Sequence, residues 1–166
     1  MKKWSVVFSL FFLFCLAGKL QAAEHRIGGG INYWTSVDDI DFDDVDDDGF
    51  SYLASYQYWP GLIGLEVDLE ILPDKYGETA FAPQAFVLVG RSIYAGAGIG
   101  WEYRDSDLAD EPFFAFRAGL NLELLPGIYG DFYGLYRFND SAELDNETTD
   151  IDSDTIFLGA AIRIAL

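Results

Sequence analysis

The stretch that decides the fold is DTIFLGAAIRIAL, the thirteen residues from Asp154 to Leu166. Its even-numbered positions from Ile156 onward are all apolar, and the positions between them are mostly small and include Arg163. Because successive side chains of a strand point to opposite faces, this alternation predicts a β-strand with one continuous apolar face. An apolar face of this length needs either a protein core or lipid to contact.

Seven earlier segments repeat the same period of two. With the last stretch they predict eight strands, each ten to thirteen residues long: Arg26–Thr35, Phe50–Trp59, Leu62–Leu72, Thr79–Val89, Ile93–Tyr103, Phe113–Leu124, Ile128–Phe138 and Asp154–Leu166. This length suits a strand that crosses a bilayer at a tilt. Pro83 falls inside the fourth segment, where it cannot donate a ladder hydrogen bond.

The connections between these segments alternate in length. Tight turns near Pro60, Gly90 and Pro126 follow the second, fourth and sixth segments. The other four connections are longer and acidic: Ser36–Gly49, Pro73–Glu78, Arg104–Pro112 and Asn139–Ser153. An up-and-down barrel places the two sets at opposite rims, and short turns on one rim with long loops on the other is the outer-membrane pattern.

The N-terminus reads as a targeting segment. Lys2 and Lys3 precede an apolar run, Val6–Ala17, and Gln21-Ala22-Ala23 ends in the small residues of a cleavage site. We expect residues 1–23 to be a secretory signal peptide and residues 24–166 to be the barrel domain. The alternative is an uncleaved N-terminal anchor.

Composition narrows the possible partners. From residue 24 onward there are seven Lys and Arg residues against 28 Asp and Glu residues, a net charge of −21, although 51% of the whole chain is hydrophobic. Such a charge excludes nucleic acid as a natural partner, since phosphate binding needs the opposite sign. The single cysteine, Cys15, lies in the leader, so no disulfide framework is expected.

The two faces of the predicted strands differ in volume. An eight-stranded barrel has an interior just wide enough for side chains to fill, so the large apolar face should contact lipid. The other face is small and carries charges of both signs: Arg26, Arg117, Arg137, Arg163, Glu66, Asp68, Glu70, Glu102, Glu123 and Asp131. We expect an interior ion-pair network, since buried charges persist when paired. The alternative is a solvated outer face. Against it, a soluble face usually carries Lys, and Lys75, predicted in a loop, is the only one after the leader.

Aromatic residues concentrate near the predicted strand ends, which is typical of the belts at bilayer interfaces. Those near the long loops are Tyr33, Trp34, Phe50, Tyr52, Phe81, Trp101, Tyr103, Phe113, Tyr136 and Phe138. Those near the short turns are Tyr56, Tyr58, Trp59 and Tyr129.

In its leader, strand count, loop alternation and C-terminal strand, the chain resembles the small eight-stranded outer-membrane barrels of the OmpA and OmpX type. The resemblance implies an all-β fold: an antiparallel, up-and-down transmembrane barrel in the bacterial outer membrane. It also implies a monomer that contacts lipid and lipopolysaccharide. Members often end in an aromatic residue, typically Phe, that the barrel-assembly machinery reads. Here residues 154–166 would meet that machinery, with Leu166 at the terminus.

The first long connection contains the one local motif for a ligand. Asp44, Asp46 and Asp48 followed by Gly49 fit D-x-D-x-D-G, the first half of a calcium loop of the EF-hand type. Ser55 stands where that loop would have its bidentate Glu. These three aspartates are therefore a candidate Ca²⁺ site, and the alternative is a solvated acidic loop that holds divalent ions loosely.

No enzyme motif is evident. The single His, His25, falls at the start of the barrel domain, where we expect a mobile end, and no Ser stands in a nucleophile motif. We therefore expect neither catalysis nor a cofactor. The favoured function is a structural or surface-interaction barrel with a plugged polar interior. The alternatives are a narrow solute channel, for which interior glycines would leave space, and a soluble periplasmic barrel that binds a small ligand.

Overall fold

The computed structural model describes residues 23–37, 48–75, 78–104, 107–109, 112–142 and 151–166. The predicted signal peptide lies almost entirely outside these ranges. Within them the secondary structure is all β, and no helix there is long and apolar enough to cross a membrane.

Eight long strands and two short ones make up the fold. They are β1 Glu24–Ser36, β2 Asp48–Trp59, β3 Ile63–Lys75, β4 Glu78–Gly90, β5 Ile93–Gly100, β6 Tyr103–Arg104, β7 Asp107–Leu108, β8 Phe113–Leu125, β9 Ile128–Ala142 and β10 Ile151–Ala165. Each long strand contains most of one predicted segment. The strands predicted from the period-two alternation are therefore confirmed.

The strands close into one antiparallel barrel. Each long strand pairs with its neighbour in the chain, and β1 pairs with β10. In that closing ladder Ile27 lies opposite Ile164 and Tyr33 lies opposite Leu158, so the first and last strands pair, as closure of an up-and-down barrel requires. Following partners once around the wall from Arg26 leads back to β1 at Ser36. This ten-residue stagger requires tilted strands.

The fifth predicted segment is interrupted where it faces Pro83. β5 ends at Gly100, and β6 resumes beside β4 in the same register, with Tyr103 opposite Phe81. Between them the Trp101 backbone N–H donates to the Pro83 carbonyl at 3.1 Å. Proline has no N–H with which to return a hydrogen bond, and the ladder is broken at this pair.

The apolar face lies on the outside of the barrel. On β10, Leu158 and Ile164 are 64% and 53% exposed, whereas Arg163 between Ile162 and Ile164 is fully buried. The same alternation runs along β2, β3 and β4. An exterior of Ile, Leu, Val and Phe side chains is suited to lipid and not to water, which favours the membrane barrel over the soluble alternative.

The connections differ in length between the two rims, as the sequence predicted, but one predicted long connection is short. The three tight turns are present, and Gly90 and Gly127 adopt positive φ values of 110° and 77°, which favour glycine. We call this end the short-turn rim and the opposite end the long-loop rim. At the long-loop rim, however, β3 and β4 extend until only residues 76–77 separate them. The predicted connection Pro73–Glu78 is therefore wrong as a long loop.

Three aromatic residues assigned to the belts face inward instead. Trp34, Trp59 and Phe113 are at most 2% exposed. Each has the parity of the inward positions on its strand, so nearness to a strand end did not indicate its face. Among the predicted belt residues, Tyr33, Phe50 and Trp101 are exposed on the outer surface near the strand ends.

Candidate functional site

The barrel interior contains a balanced set of charges. Five cations and five anions are buried among the described residues: Arg26, Lys75, Arg117, Arg137, Arg163, Glu66, Asp68, Glu70, Glu102 and Asp131. Nine of them come from five of the long strands, β1, β3, β8, β9 and β10, and Glu102 lies between β5 and β6. Their formal charges cancel. The predicted interior ion-pair network is therefore present. Its one misassigned member is Glu123, which is exposed at the short-turn rim and accepts the Gly127 backbone N–H at 3.1 Å.

Glu66 is the hub of the network nearer the short-turn rim. Its Oε1 lies 2.5 Å from Arg163 Nη2 and 3.1 Å from Arg117 Nη1. Its Oε2 accepts a hydrogen bond of 2.9 Å from Gln57 Nε2. All of these groups are buried, so the loss of the Glu66 charge would leave two guanidinium groups short of a partner.

Both arginines reach further partners. Arg163 also pairs with Asp131, which accepts from the Tyr94 hydroxyl at 2.9 Å. Arg117 Nη1 also lies 3.1 Å from Asp68 Oδ2, and its guanidinium lies 3.6 Å from the centre of the Tyr133 ring. The network thus joins strands from opposite walls and fixes them across the interior.

A second network surrounds Glu70, nearer the long-loop rim. Its carboxylate pairs with Arg137 and accepts from Asn32 Nδ2 at 2.5 Å and from Gln84 Nε2 at 3.2 Å. The Arg137 guanidinium lies between two rings, 4.4 Å from the centre of Phe113 and 4.2 Å from that of Phe157. Cation–π contacts of this kind are strongest where water is excluded.

Lys75 is placed differently from its prediction. It is the last residue of β3, and it is buried with its Nζ 3.1 Å from Glu102 Oε2. The register between β3 and β4 shifts between Leu72 and Lys75, and the extended hairpin takes this side chain into the barrel. The predicted loop position of Lys75 can therefore no longer be used as an argument against a solvated outer face. The evidence for a membrane barrel is the apolar exterior.

Several inward glycines lie in contact with aromatic rings. A Cβ atom built on Gly64 would lie 2.6 Å from the Trp59 ring, and one on Gly98 would lie 2.6 Å from Phe86 Cε1. The ring of Phe113 covers Gly100 in the same way. Interior glycines therefore do not leave the space that the channel alternative requires at these positions, because rings occupy it.

The predicted metal ligands are largely outside the described residues. Asp44 and Asp46 lie in the undescribed part of the first long connection. Asp48 opens β2, where it is exposed and its Oδ2 accepts from the Tyr33 hydroxyl at 2.5 Å. In the described part of the chain, no three His, Cys, Asp or Glu side chains gather in a group that could hold a metal ion. The Asp44, Asp46 and Asp48 site remains a prediction.

His25 lies in β1 and not in a mobile end, so that expectation is wrong. Its Nδ1 is 2.6 Å from the Tyr56 hydroxyl, and its ring centre is 5.0 Å from that of Tyr58. Pairing with β2 orders this residue, because the ladder begins at Glu24 opposite Trp59. The sequence pattern missed these contacts because its strand began one residue later.

No family model matches the chain, and neither does any curated protein. The fold is similar to that of Neisserial surface protein A, with a TM-score of 0.65 at 12% identity over 87% of this chain and 99% of that one. It is also similar to the outer membrane protein AlkL, with a TM-score of 0.54 at 12% identity over 90% and 93% of the two chains. For the outer membrane protein OprG from Pseudomonas aeruginosa the TM-score is 0.53 at 15% identity over 87% and 97%.

At such low identities these similarities establish the fold alone. The evidence for contact with lipid comes from the chain's own surface. The barrel is closed, and its exterior is apolar between aromatic strand ends. The chain therefore has the fold of the small eight-stranded outer-membrane β-barrels, with an exterior suited to lipid.

Proposed function

We propose that this barrel is a non-enzymatic, solute-tight anchor that presents an acidic rim at the cell surface. The observation that carries the proposal is the packing of the described interior: five buried cations are balanced by five buried anions, and neighbouring side chains, several of them aromatic, pack against the inward glycines. A conducting pore would need a continuous file of water between these groups. Paired charges and stacked rings leave the interior a structural role.

The acidic rim supports a surface role. Apart from the buried Lys75, residues 36–49, 73–78, 103–112 and 139–154 contain 21 Asp and Glu residues against Arg104, a charge of −20 out of the −21 from residue 24 onward. In the proposed orientation this rim faces outward, as long loops do in outer-membrane barrels. Phosphates of lipopolysaccharide would repel it, so divalent cations would bridge the two. We therefore propose divalent cations and lipopolysaccharide as the partners of this rim.

Planar-bilayer conductance of the detergent-refolded protein tests the closed interior. We expect no steady single-channel currents, because ion pairs and aromatic rings occupy the interior around Glu66 and Glu70. Heat-modifiable gel migration of the same sample verifies that the barrel is folded. Steady, sizeable currents from a folded sample would replace the anchor with the narrow channel.

Binding to vesicles tests the surface role separately. We expect the folded protein, in detergent micelles, to bind vesicles that contain lipopolysaccharide only when Mg²⁺ or Ca²⁺ is present. Vesicles of zwitterionic phospholipid provide the control. Binding that persists after the cations are chelated would contradict the proposed cation bridge to lipopolysaccharide. It would not affect the proposal of a closed interior.

A further inference from the structure

A carboxylate and an arginine meet at the short-turn rim. Glu24 is the first residue of β1, and Arg91 lies in the tight turn between β4 and β5. Arg91 Nη2 is 2.6 Å from Glu24 Oε2, and both side chains are part-buried, at 27% and 20% exposure. Sequence reasoning missed this pair because neither residue belongs to a motif.

The pair crosses the mouth of the barrel. Around the wall, β1 is separated from β4 by β2 and β3, and from β5 by β10, β9 and β8. Glu24 and Arg91 therefore project from opposite sides of the barrel and meet over its opening. An ion pair between neighbouring strands would only reinforce the wall, whereas this one bridges the space that the wall encloses.

A second arginine lies beneath the pair. Arg26 Nε is 2.8 Å from Glu24 Oε1, and Arg26 Nη1 donates to Asn121 Oδ1 at 3.0 Å. The Arg26 guanidinium lies 3.5 Å from the centre of the Tyr129 ring. Arg26 and Asn121 are only 4% exposed, so the Glu24–Arg91 pair stands between solvent and this buried layer.

We propose that the Glu24–Arg91 pair is a latch that closes the short-turn mouth over Arg26 and Asn121, and that its opening admits water and small ions to that layer. Part-exposed ion pairs are weak and are screened by salt, so this contact can break while the barrel wall stays intact. The Glu66 network beyond it is fully buried and stays closed. The latch lies at the opposite rim from the acidic loops and would operate whatever those loops bind.

A cysteine reporter tests the latch, because the chain has no other cysteine after the leader. In refolded protein carrying Asn121→Cys, the rate of reaction with a small charged methanethiosulfonate reports solvent access. Adding Arg91→Gln should raise this rate roughly 1.5- to 5-fold, the population change expected when a part-exposed ion pair is lost. Adding Glu24→Gln should raise it at least as much, because Glu24 also holds Arg26.

Two controls separate a latch from general loosening. Glu123→Gln removes an acid from the same rim outside the latch and should leave the rate unchanged. A second reporter, Ser51→Cys, lies buried beside Glu70 and should stay unreactive with Arg91→Gln. High salt should accelerate the Asn121→Cys reaction only while Arg91 is present. Equal rates with and without Arg91→Gln, or a parallel rise at Ser51→Cys, would overturn the latch.

Discussion

At the scale of single residues, the contact between Gly64 and Trp59 makes the filling of the interior testable. A methyl group on Gly64 would meet the Trp59 ring, whose Nε1 is tied to Gln57 Oε1 at 2.9 Å. We expect Gly64→Ala to lower the free energy of unfolding by about 1–3 kcal/mol, the usual cost of overpacking. Urea unfolding in vesicles, followed by tryptophan fluorescence, measures it.

The matched control is Gly134→Ala. Gly134 lies on β9, and no atom lies within 4 Å of the position that its Cβ would take. A strand glycine without a packed neighbour should lose nothing on substitution and can gain up to about 1 kcal/mol. If both substitutions were neutral, the Trp59 ring would not be packed tightly against Gly64.

A second prediction at this scale concerns the hub of the larger network. Glu66→Gln removes one of the two carboxylate partners of both Arg163 and Arg117, and we expect a loss of about 3–5 kcal/mol in the free energy of unfolding. In the double variant Glu66→Gln, Arg163→Met the loss should be smaller than the sum of the two single losses, by about 0.5–3 kcal/mol. Denaturant unfolding of the four proteins gives this coupling energy.

Glu102→Gln provides the comparison, because Glu102 pairs with Lys75 outside the hub. Its loss should add to that of Arg163→Met within about 0.5 kcal/mol. Additivity at Glu66 as well would mean that the two buried charges do not act together.

At the scale of elements, Pro83 explains why the predicted fifth strand of the barrel is divided into β5 and β6. The Trp101 carbonyl has no N–H opposite it, although the register is kept on both sides of the break. We expect Pro83→Ala to supply this donor, join the two strands and raise the free energy of unfolding by about 0.5–1.5 kcal/mol. Hydrogen exchange should then show protection at position 83.

Pro126→Ala controls for the loss of proline rigidity, since Pro126 lies in a short turn outside the ladders. It should lower stability slightly through the entropy of the unfolded chain. If Pro83→Ala behaved in the same way, the missing donor would not be the cause of the break.

The closing strand supplies a prediction about faces. Leu158 is an outward residue in the middle of β10, and we expect Leu158→Arg to cost about 2–4 kcal/mol in bilayer unfolding, as Arg does at the midplane of a membrane barrel. Leu166→Arg, at the rim, should cost about 0–1 kcal/mol. A similar cost at both positions would contradict the assignment of this face to the lipid core.

The same strand shows how far a sequence pattern reaches. Alternation alone predicted that Ile164 faces outward and that Arg163 faces inward, because side-chain parity follows directly from the strand period. It did not predict that β3 continues to Lys75. Residues 73–77 have turn-forming composition, and a register shift within one hairpin overrode it.

At the scale of the whole molecule, the partners of the buried charges depend on the stagger. Arg163 meets Glu66 and Arg117 meets Asp68 across the interior because one circuit of the wall advances by ten residues. Parity predicted which side chains enter the barrel, but no local pattern encodes the stagger, which arises from all eight pairings together. The Glu24–Arg91 pair was out of reach for the same reason.

The separation of charge over the molecule leads to the last prediction. The described interior is neutral, so the excess negative charge belongs to the acidic connections, the first of which contains Asp44, Asp46 and Asp48 in its sequence. Calorimetric titration with Ca²⁺ distinguishes a dedicated site from a diffuse acidic surface. A dedicated site would give saturable heat that Asp46→Asn abolishes, because hard cations require several fixed oxygen ligands. Ser55 stands where such a loop needs Glu, so we expect weak, unsaturated heat that Asp46→Asn leaves almost unchanged and that added salt suppresses.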